Sequence, residues 1–278
     1  MNINMLFPAG KKKALTFSYD DGTIYDRKLV ALMNEYGMKC TFNLNAGLFS
    51  DKHIGNVDGK EIDFFRIDAE EVKDLYVGHE VASHTYTHPS LTETEEGAAR
   101  EEVLKDRARL EELTGYPVKG FAYPYGTFNG EVEALLMDCG IVYGRTVCST
   151  ENFGLPEKFI EWHPTCHHDN PKMMELAERF CQEDDGAGKL FYVWGHSYEF
   201  HRYENWAHIE GFMRYMQEHK EDIWMATNME IMDYITAYKG LVWSEDEKTV
   251  NNPGKADVWF EADAKVYCVR SGETVAIA

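Results

Sequence analysis

Long apolar runs are absent from this sequence. No stretch approaches the roughly 18 consecutive apolar residues that a membrane-spanning helix needs. The first eight residues also lack the basic, apolar and small-residue segments that follow one another in a secretion signal. These two absences predict a cytoplasmic protein without a membrane partner, and a secreted protein whose signal has been removed is the alternative.

Positive charge and paired cysteines are also scarce. The chain has 28 lysines and arginines against 48 aspartates and glutamates, a net charge of −20. Such a field repels nucleic acid and anionic membrane surfaces, so neither is an expected partner. The six cysteines form no Cys-x-x-Cys pair, which disfavours a thiolate zinc site and a small disulfide scaffold. We expect free thiols, and we make no prediction of oligomeric state.

What the sequence does contain is a regular alternation of strand and helix patterns. A strand over 13–19, a helix over 25–36 and a strand over 39–44 form the first βαβ unit. Residues 46–66 are predicted to be a loop. The alternation continues with predicted strands at 77–82, 116–121, 142–147, 159–162, 189–194 and 223–226, and with predicted helices at 68–76, 92–113, 130–137, 172–181, 204–218 and 229–238.

This alternation predicts an α/β protein with a parallel sheet, either a barrel or an open doubly wound sheet. No Gly-x-Gly-x-x-Gly follows a predicted strand, so the nucleotide fingerprint of the open fold is missing. Polar residues that could react stand just past the ends of several strands, which favours a barrel mouth. We predict one barrel domain over 1–239 and a β-rich extension over 240–278 that packs on it.

Two short stretches contain residues that could bind a metal. His84 and His88 are four residues apart after a predicted strand, where a helical turn or a tight loop would put both imidazoles on one face. Asp20 and Asp21 end another strand, so one carboxylate could bind an ion while the other acts as a base. Taken singly, an ordinary Asp-Asp-Gly turn is the favoured interpretation of the first stretch, and two surface histidines that cap a helix are the corresponding interpretation of the second.

Four short segments contain motifs that, in this order along the chain, are typical of a known protein family. They are Phe17-Ser18-Tyr19-Asp20-Asp21-Gly22, Ser83-His84-Thr85-Tyr86-Thr87-His88, Phe121-Ala122-Tyr123-Pro124-Tyr125-Gly126 and Trp194-Gly195-His196. Over roughly residues 13–238 the chain resembles the NodB-homology polysaccharide deacetylases, carbohydrate esterase family 4. The resemblance implies a distorted (β/α)7-type, TIM-like barrel and a metal-dependent enzyme that removes N- or O-acetyl groups from a carbohydrate substrate.

The resemblance also implies roles for individual residues. Asp21, His84 and His88 would bind a divalent metal, with zinc expected and cobalt or nickel as alternatives. Asp20 would be the general base, and His196 the general acid on the leaving group. The backbone N–H of Tyr125 would stabilise the oxyanion.

Substrate contacts follow in the same way. Trp194 and Trp162 would wall the pocket for the acetyl methyl group, and Tyr123 and His168 would also bind substrate. His163, His167 and His168 could line the mouth or cap a helix.

The chain departs from the family pattern at two places. The family has an arginine where Ala122 stands, and Arg145 on the next strand either supplies that charge or forms a structural surface ion pair. The family's acid-tuning Asp-x-x-Asp-Trp stretch has no clear counterpart, although Glu199 and His201 are close enough in sequence to orient His196.

Two other functions stay open at this point. An amidohydrolase acting on a small non-sugar amide or imide would use the same metal and base. A barrel that binds carbohydrate without turnover is an alternative of another class, although it has no need for a free carboxylate beside a metal triad.

Overall fold

A computed structural model describes residues 2–57, 59–182 and 186–277. The helices are α1 Asp26–Glu35, α2 Val72–Leu75, α3 Glu96–Thr114, α4 Gly130–Asp138, α5 Met173–Gln182, α6 Ser197–Arg202, α7 Trp206–Glu218 and α8 Asn228–Lys239. The strands are β1 Ile3–Leu6, β2 Lys13–Asp20, β3 Cys40–Leu44, β4 Lys52–Val57, β5 Lys60–Phe65, β6 Glu80–Ser83, β7 Gly120–Ala122, β8 Tyr143–Arg145, β9 Cys166–His167, β10 Lys189–His196, β11 Ile223–Met225, β12 Val242–Trp243, β13 Thr249–Asn251, β14 Val258–Ala262, β15 Lys265–Val269 and β16 Thr274–Ala276.

Seven parallel strands form one curled sheet in the order β8-β7-β6-β3-β2-β10-β9, and β11 pairs with the first half of β2. The segment before β9 connects the two ends of this sheet. Trp162 donates its N–H to Gly144 at 2.8 Å, and Thr165 donates to Tyr192 at 2.8 Å. The prediction of an α/β fold with a (β/α)7-type barrel is confirmed.

The two faces of the strands differ in polarity, as the period of two along a strand requires. On β2, Leu15, Phe17 and Tyr19 pack in the main hydrophobic cluster with residues of the surrounding helices. On the other face, Ala14 packs in a second hydrophobic cluster, but the positions nearer the end of the strand are polar. Thr16 donates to Asn228 at 2.9 Å, and Ser18 accepts from Asn43 at 2.8 Å. From Thr16 onwards this face of β2 is therefore a hydrogen-bonded polar row that leads up to Asp20.

Two small antiparallel sheets lie beside the barrel. One is β12-β13-β16, and the other is β1-β14-β15, so the first strand of the chain pairs with the C-terminal region. Tyr234 of α8 joins the β1-β14-β15 sheet to the barrel because its hydroxyl donates to the carbonyl of Leu6 and accepts from the N–H of Trp259. The boundary at residue 239 stays a prediction.

Several local predictions differ from the structure. The predicted loop over 46–66 contains a hairpin of β4 and β5, in which His53 lies opposite Phe64. Charged residues interrupt its apolar alternation, so the strand period is hard to recognise. The helix predicted at 68–76 shrinks to α2 after an Asp68 capping box. None of the helices in the described ranges is long and apolar enough to cross a membrane.

Candidate active site

The carboxyl-terminal ends of four parallel strands meet at one edge of the barrel, and each brings a polar side chain. Asp20, Arg145 and His196 are the last residues of β2, β8 and β10, and His84 directly follows β6. The register of the sheet sets His196 and Asn43 on either side of Asp20. Parallel strands thus gather residues that are far apart in sequence.

Asp20 is buried among polar partners. Its Oδ1 accepts from Nδ2 of Asn43 at 2.8 Å, and both oxygens accept from the guanidinium of Arg145. Nε2 of His84 and Nε2 of His196 each lie 3.9 Å from Oδ2. Burial opposes ionisation, but Arg145 and the two imidazoles outweigh it and lower the pKa of Asp20. The carboxylate is therefore ionised and able to accept a proton.

Asp21 turns towards the same site because its backbone is left-handed, with a φ of 82°. Arg66 fixes this turn: its Nη1 donates to the Asp21 carbonyl and lies 3.1 Å from Oδ1. Burial opposes ionisation here too, but the guanidinium and nearby imidazoles hold the pKa of Asp21 well below its usual range. Oδ1 is buried and has no hydrogen bond of acceptable geometry within the described residues.

His84 is almost fully buried, and its orientation is fixed on two sides. Nδ1 lies 2.8 Å from the carbonyl of Ala122, which leaves the Nε2 lone pair free when Nδ1 carries the proton. The backbone N–H donates to Asp106 at 3.2 Å, and Asn45 donates to the carbonyl at 2.5 Å. Burial lowers the pKa of His84 to about 4, so the imidazole is neutral near pH 7.

His88 reaches the same point from a tight loop, not from a helical turn. Thr85 and His88 both have left-handed backbone, with φ values of 66° and 64°. Nε2 of His88 lies 3.1 Å from Nε2 of His84 and 3.8 Å from Oδ1 of Asp21. Burial lowers the pKa of His88 as well. The ring of Tyr125 packs against it, with centroids 4.6 Å apart.

Asp21, His84 and His88 together have the donors of a catalytic zinc site, and we call them the metal group. Their ligand atoms all lie within 4.8 Å of one another. Two neutral imidazoles and an ionised carboxylate, with a buried oxygen that lacks a hydrogen-bond partner, suit a divalent ion with open positions for water. The residues present therefore fit the metal.

His196 stands opposite the metal group at the start of α6. Its Nδ1 lies 3.1 Å from Oε2 of Glu199, and its backbone N–H donates to the same oxygen at 3.0 Å. Burial lowers the pKa of this imidazole, but Glu199 outweighs burial and raises the pKa of His196 to about 9. The ring is protonated at neutral pH and can donate a proton.

Glu199 also contacts His167, the last residue of β9, and His168, which follows it. Nε2 of His167 lies 3.2 Å from Oε2 of Glu199, and Nε2 of His168 lies 3.3 Å from it. Asp169 lies 3.2 Å from Nε2 of His168. We call His167, His168, Asp169 and Glu199 the Glu199 cluster; its ligand atoms also lie within 4.8 Å of one another.

Arg145 lies fully buried between the base and an aromatic wall. Its guanidinium donates to Asp20 and lies 4.7 Å from the ring centroid of Trp194. It therefore reaches Asp20 from β8, whereas Ala122 of β7 has no charge to offer. Buried Arg145 is not the surface ion pair that the sequence left as an alternative.

Three of the predicted substrate contacts need correction. Trp162 is 1% exposed and packs on Tyr143 and Tyr192, so it belongs to the core. Tyr123 is 1% exposed and donates its hydroxyl to the carbonyl of Ile160, and His168 is 0% exposed. None of these three side chains offers more than 1% of its surface to a substrate. Trp194, which is half-buried, stays a candidate.

Two other predicted residues lie at different positions around the site. Tyr125 is 68% exposed, with a left-handed backbone φ of 58°. His163 lines a separate cavity of about 450 Å³ formed by residues 150–165 with Tyr192, and its Nδ1 lies 2.6 Å from the Thr146 hydroxyl. This cavity does not include the metal group, and we assign it no role in the chemistry.

Several residues at the site could not be singled out from the sequence. Arg66 follows β5 and holds Asp21, and Asp106 reaches from the middle of α3 to Ser83 and His84. The only indication of Asp106 is an acidic residue on the apolar face of a helix. Arg66 has no motif, because it reaches the site through a hairpin that was expected to be a loop.

Comparisons with known proteins show what this chain is similar to. Residues 8–144, just under half of the chain, match the family model of polysaccharide deacetylases. The resemblance inferred from the sequence is thereby confirmed. This family is generally metal-dependent.

The individual relatives of this chain are distant. A Bacillus cereus peptidoglycan-N-acetylglucosamine deacetylase is 28% identical over 122 residues, which cover 41% of the chain and 37% of the relative. The chain thus matches little more than a third of that protein's length.

Solved structures share the fold. A Mycobacterium smegmatis protein assigned to the polysaccharide deacetylases is 18% identical with a TM-score of 0.61, covering 85% of this chain and 94% of that one. A variant of a Bacillus subtilis peptidoglycan deacetylase is 15% identical with a TM-score of 0.50, covering 84% and 96%.

Proposed function

We propose that this chain is a metal-dependent hydrolase that removes acetyl groups from a carbohydrate. The proposal rests on one observation: at the mouth of the barrel, ionised Asp20 lies beside both the metal group and protonated His196. The match of residues 8–144 to the polysaccharide deacetylase model supports the same reaction class. An acetylated carbohydrate is the substrate that follows, and N-acetyl or O-acetyl linkages are both compatible with these residues.

Asp21, His84 and His88 would hold the metal. A divalent ion, zinc in the first instance, would polarise the acetyl carbonyl and lower the pKa of a bound water towards neutrality. Nδ1 of His84 faces the Ala122 carbonyl, so its proton stays there and Nε2 faces the site. Arg66 keeps Asp21 in its left-handed turn so that two successive carboxylates face one pocket.

Asp20 would accept the proton of the attacking water. Arg145 and Asn43 hold its carboxylate in place and keep it ionised. Across the site, His196 would donate the proton of its Nε2 to the leaving nitrogen or oxygen. Glu199 holds the opposite ring nitrogen, which keeps the imidazolium charged and correctly oriented. We also propose that the Tyr125 N–H stabilises the oxyanion.

Acetate release from a panel of substrates tests the proposal. The panel contains chitooligosaccharides, peptidoglycan fragments, acetylxylan and simple aryl acetates, each with added zinc, added cobalt or a chelator. We expect acetate release that is lost with the chelator and restored by metal. A loaded metal site without acetate from any member would instead favour hydrolysis of a small cyclic amide, which the same preparation can then be given.

A further inference from the structure

The Glu199 cluster contains four ligand-type side chains that no role in deacetylation accounts for in full. His167, His168 and Asp169 are consecutive residues at the end of β9, and Glu199 lies in the first turn of α6. They come together because β9 pairs with β10, whose last residue leads directly into α6. The cluster shares no residue with the metal group, and His196 lies between the two groups.

The distances within the cluster match those around a zinc ion. Oε2 of Glu199 lies 3.2 Å from Nε2 of His167 and 3.3 Å from Nε2 of His168, which lies 3.2 Å from Oδ1 of Asp169. Zinc ligands at roughly 2.0–2.1 Å in a tetrahedron are about 3.3 Å apart. In the metal group the corresponding separations are 3.1 and 3.8 Å.

His168 supplies an independent indication. It is 0% exposed, and neither ring nitrogen has a hydrogen bond of acceptable geometry among the described residues. Oδ1 of Asp169 and Oε2 of Glu199 lie 3.2 and 3.3 Å from its Nε2. A buried polar group without a well-directed hydrogen bond is unusual in proteins, and a bound ion is one of the recognised explanations.

The His168 ring is also fixed in position. It stacks between Phe200 and Tyr19, with centroid distances of 4.2 and 5.6 Å. Its backbone N–H donates to Trp194 at 2.9 Å. Gly195 lies against the ring so closely that any side chain at that position would overlap it. Burial lowers the pKa of His168 to about 4, so the ring is in the neutral form that binds metals.

Hydrogen bonds alone account for part of the cluster. The Asp169 N–H donates to Nδ1 of His167 at 3.2 Å, which leaves the proton on Nε2 facing Glu199. Glu199 also accepts from His196. These contacts satisfy His167 and Glu199, whereas the ring nitrogens of His168 have no well-directed hydrogen bond within the described residues. A metal would require His167 to move its proton to Nδ1 and give up the Asp169 N–H bond.

We infer that His167, His168, Asp169 and Glu199 form a second site for a zinc-like divalent cation, separate from the metal group. The site has two imidazoles and two carboxylates, a donor set that suits zinc, cobalt or nickel. This inference does not depend on deacetylase activity.

Metal stoichiometry tests the inference. The full-length chain is stripped with a chelator and dialysed to equilibrium against zinc alone, and bound zinc is measured by atomic emission. We expect two equivalents in the wild type and one in His167→Gln, whose side chain is partly exposed. His168→Phe, which preserves the stacking with Phe200, should also bind one. His219→Gln, at the end of α7, is the control and should bind two. Circular dichroism confirms folding of each variant.

A second pair of variants separates this site from the metal group. His88→Gln should retain one equivalent, and the double variant His88→Gln/His167→Gln should bind none. The second site would be overturned if the wild type bound one equivalent of zinc and both His167→Gln and His168→Phe still bound one. It would also be overturned if the wild type bound two equivalents and neither variant bound fewer. A single equivalent lost in His167→Gln but kept in His88→Gln would support the second site and contradict the metal group.

Discussion

The metal group and the Glu199 cluster lie at the same barrel mouth but are held in different ways. In the metal group, each imidazole and carboxylate is oriented by a neighbour outside the group, such as the Ala122 carbonyl for His84 and Arg66 for Asp21. In the Glu199 cluster, the ring nitrogens and carboxylate oxygens lie against one another, and neither ring nitrogen of His168 has a well-directed hydrogen bond among the described residues. Hydrogen bonds from outside the metal group hold its ligand atoms in place before a metal binds. In the Glu199 cluster, the hydrogen bonds among the ligand atoms depend on whether a metal is bound.

We expect the largest effect on turnover from a substitution of Asp20, the base beside the metal group. Asp20→Asn removes the proton acceptor while the ligands Asp21, His84 and His88 remain, so turnover should fall about a thousandfold, within the usual range for general acid–base catalysis. Acetate release and zinc content are measured on the same preparation. A rate within tenfold of wild type at full zinc content would mean that the base is another group.

The buried charge pair at the mouth should dominate stability. Arg145→Met leaves the Asp20 carboxylate buried without its guanidinium, which should lower the free energy of unfolding by about 3–5 kcal/mol. Denaturant unfolding measures this. The matched control is Arg27→Met, which breaks the exposed pair with Glu71 and should cost about 0–1 kcal/mol. Equal losses in the two variants would contradict the importance of burial at Arg145.

A residue that orients the metal group from outside can be substituted while all three metal ligands remain. Asp106 accepts hydrogen bonds from the Ala46 N–H, the Ser83 hydroxyl and the His84 N–H. Asp106→Asn places an amide N–H against one of these donors, and zinc affinity of the metal group should fall about 10- to 100-fold. Competition with a chromophoric chelator measures the affinity, in the His167→Gln background so that one site is followed. Unchanged affinity would show that Asp106 only stabilises the fold.

We expect the smallest effect on stability from the ion pair between His196 and Glu199, and this effect depends on pH. In the metal-free protein Glu199 raises the pKa of His196 to about 9, above the ordinary value of 6.5. The stability from this pair is therefore full below about pH 6.5 and is lost as pH rises through about 9. Glu199→Gln should lower the pKa of His196 and flatten this pH dependence. NMR titration of the imidazole follows the change, and an unaltered midpoint would remove Glu199 as the cause.

The sequence was informative where ligands are close together in the chain. His84 and His88 lie in one loop and Asp20 and Asp21 at one strand end, so the short segments that carry the resemblance, and with it the predicted metal site, could be recognised in the sequence. The alternation of strands and helices predicted a parallel α/β sheet, and the polar residues past the strand ends favoured a barrel. The cytoplasmic location and the individual site roles remain predictions.

Residues that converge from distant elements were beyond such reasoning. Arg66 and Asp106 act through contacts that depend on a hairpin and on the packing of α3. Burial also could not be deduced: aromatic Trp162 and Tyr123 beside the mouth motifs suggested a substrate wall, yet both pack in the core. Whether a side chain at a strand end faces the mouth or a helix depends on register and closure, which the three-dimensional structure alone reveals.

Acetate release as a function of zinc occupancy tests the central claim most directly. The metal-free wild type is reconstituted with increasing zinc, and bound zinc and acetate release from the best substrate of the panel are measured on each sample. If Asp21, His84 and His88 hold the catalytic ion, activity should be negligible without metal, rise with zinc content, and be absent from His88→Gln at every zinc level. Full acetate release from the metal-free protein, or from zinc-treated His88→Gln, would contradict the account.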